Sequence, residues 1–401
     1  MPRSGPPDSC SSLSPGAEKN PVVALKAGVL HLWRYCRPFY AGNELAALSG
    51  SAMRALWPVL HYLARRDELW ITVPQEMEDR WAAAYYATAA RSACLSREVD
   101  HLLSSLQEAD IPVILLKGAI LAENLYPNPA LRPMGDLDLL LRREDLPRLY
   151  RLLESMGYVW DGYQGPTKHL GFDKWMGELV LRVEAHWHLI SEGYGMKRTH
   201  ALEMEALWDR AVSVTVGSKR ALALSPEDTL LHLCLHQAAH ALGHIPGYLD
   251  MHLFIHKLGV EWETFVQRVV AYRLKTVTWF ALSFARTLLG TEVPQAVLDG
   301  LQPPPRRREM VERFVTPARL AGPAARPLSD QDRATVGFLL KDRWRDTLLV
   351  WVWTVFLPDR PRMLARYPWA TGGLRLVWAY VRHLARLAGY GMGLMRRVVK
   401  Q

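Results

Sequence analysis

At 401 residues, 49% hydrophobic and 22% charged, the chain is long enough for two or three compact lobes and is unlike a disordered protein. A net charge of +9 and a pI near 9.4 favour phosphate-bearing ligands, nucleic acid or an anionic membrane surface without choosing among them. The cysteines Cys10, Cys36, Cys94 and Cys234 stand apart with no CxxC spacing, which argues against a zinc knuckle or a disulfide framework and for a reducing cytoplasm.

Taken in chain order, residues 1–21 are rich in Pro, Ser and Gly, lack the apolar core of a signal peptide and are expected to be a disordered lead. Residues 22–110 place apolar side chains at three- and four-residue spacing, in LAALSGSAMRALWPVLHYLARR and in RWAAAYYATAARSACLSREVDHLLSSLQEA, which predicts an N-terminal helical region. Residues 111–116 (IPVILL) predict a short buried strand, closed by Lys117 and Gly118 and followed by a helical piece that ends before Pro127. A second aliphatic strand covers 137–141, and Arg143-Glu144-Asp145 opens a helix that Gly157 stops.

Residues 179–190 alternate. Leu181, Val183, Ala185, Trp187 and Leu189 point to one face, and Arg182, Glu184, His186 and His188 to the other. Residues 111–190 therefore form an α/β unit. From 225 the pattern is helical again: Ser225 caps TLLHLCLHQAAHAL, residues 303–308 (PPPRRR) predict a loop, and the segment from about 342 is rich in Trp and Arg. The apolar run 347–357 is too short for a bilayer, which needs about 20 residues.

The chemistry is expected at Gly135-Asp136-Leu137-Asp138. Two carboxylates two residues apart on a strand share a face and can reach one metal centre. Hard divalent ions such as Mg²⁺ or Mn²⁺ take carboxylate oxygens and leave positions for substrate phosphates. A Ca²⁺ loop fits poorly, because aliphatic residues follow Asp138 where further oxygen ligands are needed. Gly118 ends a strand where backbone N–H groups can approach phosphate, and Glu184 offers a third carboxylate.

The run ILLKGAILAENLYPNPALRPMGDLDLLLRREDLPRLYRLLESMGYVWDG resembles the core of the uncharacterised nucleotidyltransferase family within the DNA polymerase beta-like superfamily. RVEAHWHLI resembles that family's strand with the third acid, and SPEDTLLHLCLHQAAH with Gly247-Tyr248-Leu249-Asp250 resembles its helical segment. The similarity spans about residues 100–260, and the tail, including VFLPDRPRMLARY, is looser. The resemblance implies an α+β fold: a polymerase-beta-like core with a mixed sheet over 111–224, flanked by helical regions at 22–110 and 225–401.

It further implies that Asp136, Asp138 and Glu184 are the catalytic and metal-binding residues, with Gly118 in the phosphate cradle. Ala119 stands where the superfamily has serine, and Lys117 or Arg132 would supply positive charge to the nucleotide instead. The implied activity is transfer of a nucleoside monophosphate from an NTP to a hydroxyl on a small molecule, peptide or protein. Relatives are often found beside bacterial natural-product and peptide-modification genes. The competing expectation is a catalytically inactive nucleotide- or peptide-binding module that keeps the fold, which the missing serine favours.

His186 and His188 share the polar face with Glu184, and His232, His236 and His240 recur at i, i+4, i+8 as one stripe. The stripe lacks the glutamate of an HExxH motif and is expected to pack against the catalytic lobe. The basic C-terminal helix is expected to dock on the core with its arginines exposed, with contact to a membrane surface as the alternative. No nucleic-acid-binding motif accompanies the charge.

Overall fold

The computed structural model describes residues 20–162, 169–190, 199–323, 325, 328–356, 358 and 360–398. The lead expected to be disordered lies outside them except for Asn20 and Pro21, where the first helix begins. Helices α1–α5 occupy Pro21–Cys36, Glu44–Leu48, Ser51–Arg54, Trp57–Ala64 and Gln75–Glu108. Strand β1 is Ile114–Leu115 and β2 is Asp136–Leu140, with α6 (Gly118–Leu125) between them. Helix α7 (Leu146–Ser155) precedes β3 (Val159–Trp160), β4 (His169–Met176) and β5 (Leu179–His186). Helix α8 (Met204–Asp209) leads to β6 (Val212–Val216) and β7 (Lys219–Ala223).

The remainder is helical. Helices α9 and α10 are Pro226–Ala239 and Ile245–Leu258. Helices α11–α16 occupy Trp262–Ala271, Lys275–Leu289, Gln295–Leu301, Pro305–Glu312, Pro317–Ala321 and Asp330–Leu339, and α17–α19 occupy Trp344–Phe356, Arg360–Arg366 and Gly373–Val398. The fold is α+β with helical flanks, as the sequence predicts.

Among the described residues the strands form one mixed sheet of seven in the order β3-β4-β5-β2-β1-β7-β6. Strand β2 is central. It runs antiparallel to β1 and parallel to β5, with Asp136 opposite Arg182, Asp138 opposite Glu184 and Leu140 opposite His186. Aspartate is a poor strand former, but strand propensities span only about 1 kcal/mol. Burial of Leu137, Leu139 and Leu140, about 1.5–3 kcal/mol each, outweighs it.

Alternation sends the two sides of the sheet into different cores. Leu115, Leu137, Leu139, Leu181, Val183 and Ala185 join Leu95, Val99 and Leu102 of α5 and Leu149 and Leu153 of α7. Ile114 and Leu140 join the larger core made by helices from both flanks, including Leu25, Leu60, Leu231, Tyr248 and Phe280. The aspartates alternate with Leu137 and Leu139, so they stand on the side that faces this helical body.

Three local expectations change. Strand β5 ends at His186 instead of 190, because its partner β2 ends at Leu140 and no ladder continues. The predicted loop PPPRRR starts helix α14, with Pro305 pre-set for the first helical position. There Arg307 is buried and stacks 3.9 Å from the Trp344 ring centroid. Helix α9 stops at Ala239 and not at Leu242, so His240 caps its end, still ring to ring with His236.

Candidate active site

The backbone that presents Asp136 is held by a residue far away in sequence. Arg91 of α5 donates from Nε to the Met134 carbonyl at 2.7 Å, and from Nη2 to the carbonyls of Gly135 and Val180 at 2.9 Å each. One guanidinium thus joins the entrances of β2 and β5. Nothing local in the sequence marks Arg91 for this, since its partners are backbone atoms 43–89 residues away.

Asp136, Asp138 and Glu184 come together: one oxygen from each lies within 4.8 Å of the others. Asp138 is only 1% exposed, whereas the Asp136 side chain is 34% exposed and forms the open edge of the group. Lys117, at the end of β1, donates to Asp138 and lies 3.7 Å from Oδ1 of Asp136. His186 Nε2 lies 2.9 Å from Oδ1 of Asp138 and 3.3 Å from Oε2 of Glu184. Ionised carboxylates only accept, so this nitrogen carries the proton. His169 of β4, whose ring lies beside that of His186, approaches the same Glu184 oxygen at 3.7 Å.

These neighbours separate the acids electrostatically. Burial opposes ionisation of Asp138, yet Lys117 and His186 hold it well below the usual carboxylate range. Glu184 behaves likewise: burial is outweighed by the His186 hydrogen bond and by His169. Asp136 goes the other way, raised by burial and by the charge of Asp138 despite Lys117. A site with surplus negative charge at its open edge is a site for a cation, and its donors, carboxylate oxygens, suit a hard divalent ion. His169, Glu184 and His186 form a second converging donor set that shares Glu184.

Gly118 follows Lys117 with φ +42°, left-handed space that glycine enters freely. A Cβ there would meet only the Asp136 carbonyl at 3.6 Å, so the requirement is conformational. Ala119 buries its methyl in the core under the sheet. Gly171, opposite Glu184, meets a different need. A Cβ would stand 2.2 Å from Arg182 Nη2, so glycine lets Arg182 cross the strand to its partners Asp161 and Asp173.

Arg132, the other candidate for phosphate contact, is engaged elsewhere. It is buried and makes a two-pronged pair with Asp250 of α10, Nε to Oδ1 at 2.9 Å and Nη2 to Oδ2 at 2.8 Å, while Tyr126 donates to the same carboxylate. This pair clamps the segment before β2 to the helical body, and its charge still reaches Lys117 and Asp136.

His188 lies beyond the end of β5, buried beside the His200 ring. His232 is buried within α9, but His236, His240 and His244 pack ring on ring with centroids 4.5–5.2 Å apart. His244 was not apparent from the helical stripe, because the turn after α9 is what returns it to the group. Burial pushes His236 well down, with Lys117 the next influence, and burial and His240 push His244 down to about 4. His240 and His244 line a cleft of about 940 Å³ together with Phe314 and Arg319. Among the described residues the histidine group does not converge its donor atoms as the carboxylates do.

No curated protein and no solved structure matches the chain. The model of one family does, over residues 46–290, more than half of the chain and all of the sheet. With a D-x-D strand at the centre of that sheet and three acids converging on it, the chain belongs to the uncharacterised nucleotidyltransferase family and is a transferase of phosphorus-containing groups.

Proposed function

We propose that the protein moves a nucleoside monophosphate from an NTP to an acceptor hydroxyl on a small molecule, peptide or protein, at Asp136, Asp138 and Glu184. The observation that carries this is the convergence of three carboxylates with the Lys117 ammonium drawn between two of them, where a cation belongs. Asp136, Asp138 and Glu184 would hold Mg²⁺ or Mn²⁺, which when bound supplies positive charge to the transferring phosphate oxygens.

The chain's own groups divide the remaining work. The acceptor oxygen bonds to the α-phosphorus as the bond to the leaving pyrophosphate breaks, and Glu184, ionised at neutral pH, takes the hydroxyl proton. His186 fixes the orientation of Asp138 and Glu184 by sharing one N–H between them. Lys117 and the backbone at Gly118 receive the phosphates. Arg132 acts on this site through position and field, being held by Asp250. Free Cys36, Cys94 and Cys234 accord with a reducing cytoplasm. A natural-product or peptide-modification setting accords with the family resemblance.

The test is incubation with each labelled NTP, Mg²⁺ and candidate acceptors, followed by mass spectrometry. Addition of a nucleoside monophosphate that disappears in Asp136→Asn/Asp138→Asn is expected. Addition of a bare phosphate would redirect the assignment to phosphoryl transfer. NTP binding without turnover against any acceptor would leave a binding module.

A further inference from the structure

Helix α19 is a 26-residue helix that carries Arg375, Arg382, Arg386, Arg396 and Arg397 and not one carboxylate. Its inner face is accounted for: Ala379 is fully buried with Met363, Tyr367 and Ala370 in a small separate core, and Tyr380 donates to the Pro358 carbonyl. Its outer face is not polar. Leu374 is 87% exposed, Val377 and Trp378 are 60% exposed, and Val381 and Leu384 continue the same line. Positions i, i+3, i+4, i+7 and i+10 make one apolar stripe. Arg375, Arg382 and Arg386, all exposed, run along one flank of it.

We propose that this face of α19 lies on an anionic phospholipid surface, with Leu374, Val377, Trp378, Val381 and Leu384 in the acyl boundary and Arg375 and Arg382 against the headgroups. Charge selects the occupant. A face for another protein would ordinarily mix signs at its rim, whereas the exposed Arg375 and Arg382, on a helix without an acid, complement a surface of one negative sign. Tryptophan in the stripe suits the water–lipid boundary, where one end of the ring is apolar and the other wet. Among the described residues no helix is long and apolar enough to cross a membrane, so the contact is interfacial.

The test is co-sedimentation of the full chain with vesicles of phosphatidylcholine alone and of phosphatidylcholine mixed with phosphatidylglycerol. Pelleting with the mixed vesicles and not with phosphatidylcholine alone is expected. Val377→Asp/Val381→Asp, at exposed positions that leave the fold intact, should weaken binding at least about tenfold. Arg375→Glu/Arg382→Glu should weaken it about tenfold or more and reduce its salt dependence. Binding that survives the paired aspartates, or no pelleting with anionic vesicles, overturns the proposal. So does a dimer in solution that the same aspartates split, because a second copy would then cover the stripe.

Discussion

The molecule holds two ionic clusters near the same strand, built to opposite rules. Around Asp250 the charges close: one guanidinium, one carboxylate and a tyrosine hydroxyl satisfy one another in a buried pair. Around Asp138 they do not. Three carboxylates converge, Lys117 is shared between two of them, and Asp136 is left partly exposed with its charge opposed by burial and by Asp138. A balanced cluster holds structure together, while an unbalanced one is paid for by the fold and kept for a ligand.

The sharpest way to break this contrast is Asp136→Asn. Its charge is disfavoured in the folded protein, so removing it should leave the melting temperature unchanged or slightly raised. Nucleotidyl transfer should nevertheless fall about 10³-fold, equivalent to ~4 kcal/mol of barrier. A destabilised variant with normal turnover would place Asp136 in the structural class.

Arg132→Ala should do the reverse. Leaving Asp250 buried and unpaired costs about 3–5 kcal/mol in a denaturant titration, while Arg132→Met/Asp250→Leu should cost much less because neither charge remains. Equal losses in both variants would contradict the view of Arg132–Asp250 as a closed pair.

The histidine group sharpens the comparison through pH. His244 titrates near 4 in the folded chain against about 6.5 unfolded, so the unfolded state binds more protons between these values. The contribution is fully present above pH ~6.5 and is lost as pH falls towards 4, up to about 3 kcal/mol in all. His244→Gln should flatten that part of the stability profile, and an unchanged slope would assign it to other groups.

The smallest effect is expected at Gly118. Alanine meets no clash there but must adopt φ +42°, which costs about 1–2 kcal/mol and should weaken NTP binding in a calorimetric titration. Wild-type affinity in Gly118→Ala would remove the turn from the phosphate site.

What was legible in the sequence was local and periodic. Alternation placed Asp136 and Asp138 on one side of a strand and Glu184 on the polar face of another, because both facts follow from a two-residue period. Three kinds of information were not local. Arg91 acts on carbonyls, which leave no trace in composition. Arg132 looks like a surface cation until α10 brings Asp250 to it from 118 residues away. His169 reaches Glu184 through the β4–β5 pairing, which the sequence does not announce. The histidine group was legible only in part: His236 and His240 meet as helical spacing predicts, whereas His244 joins them through the turn after Ala239, where the helix ends.

The unbalanced cluster, on this reading, is a cation site that serves a nucleotide. Electron paramagnetic resonance of Mn²⁺, titrated into the protein with and without a non-hydrolysable NTP, tests it without needing the acceptor. Wild type should bind Mn²⁺ and bind it more tightly with the nucleotide, Glu184→Gln should bind it weakly, and Asp136→Asn/Asp138→Asn should not bind it. Equal Mn²⁺ affinity in the wild type and in the double variant would contradict the account.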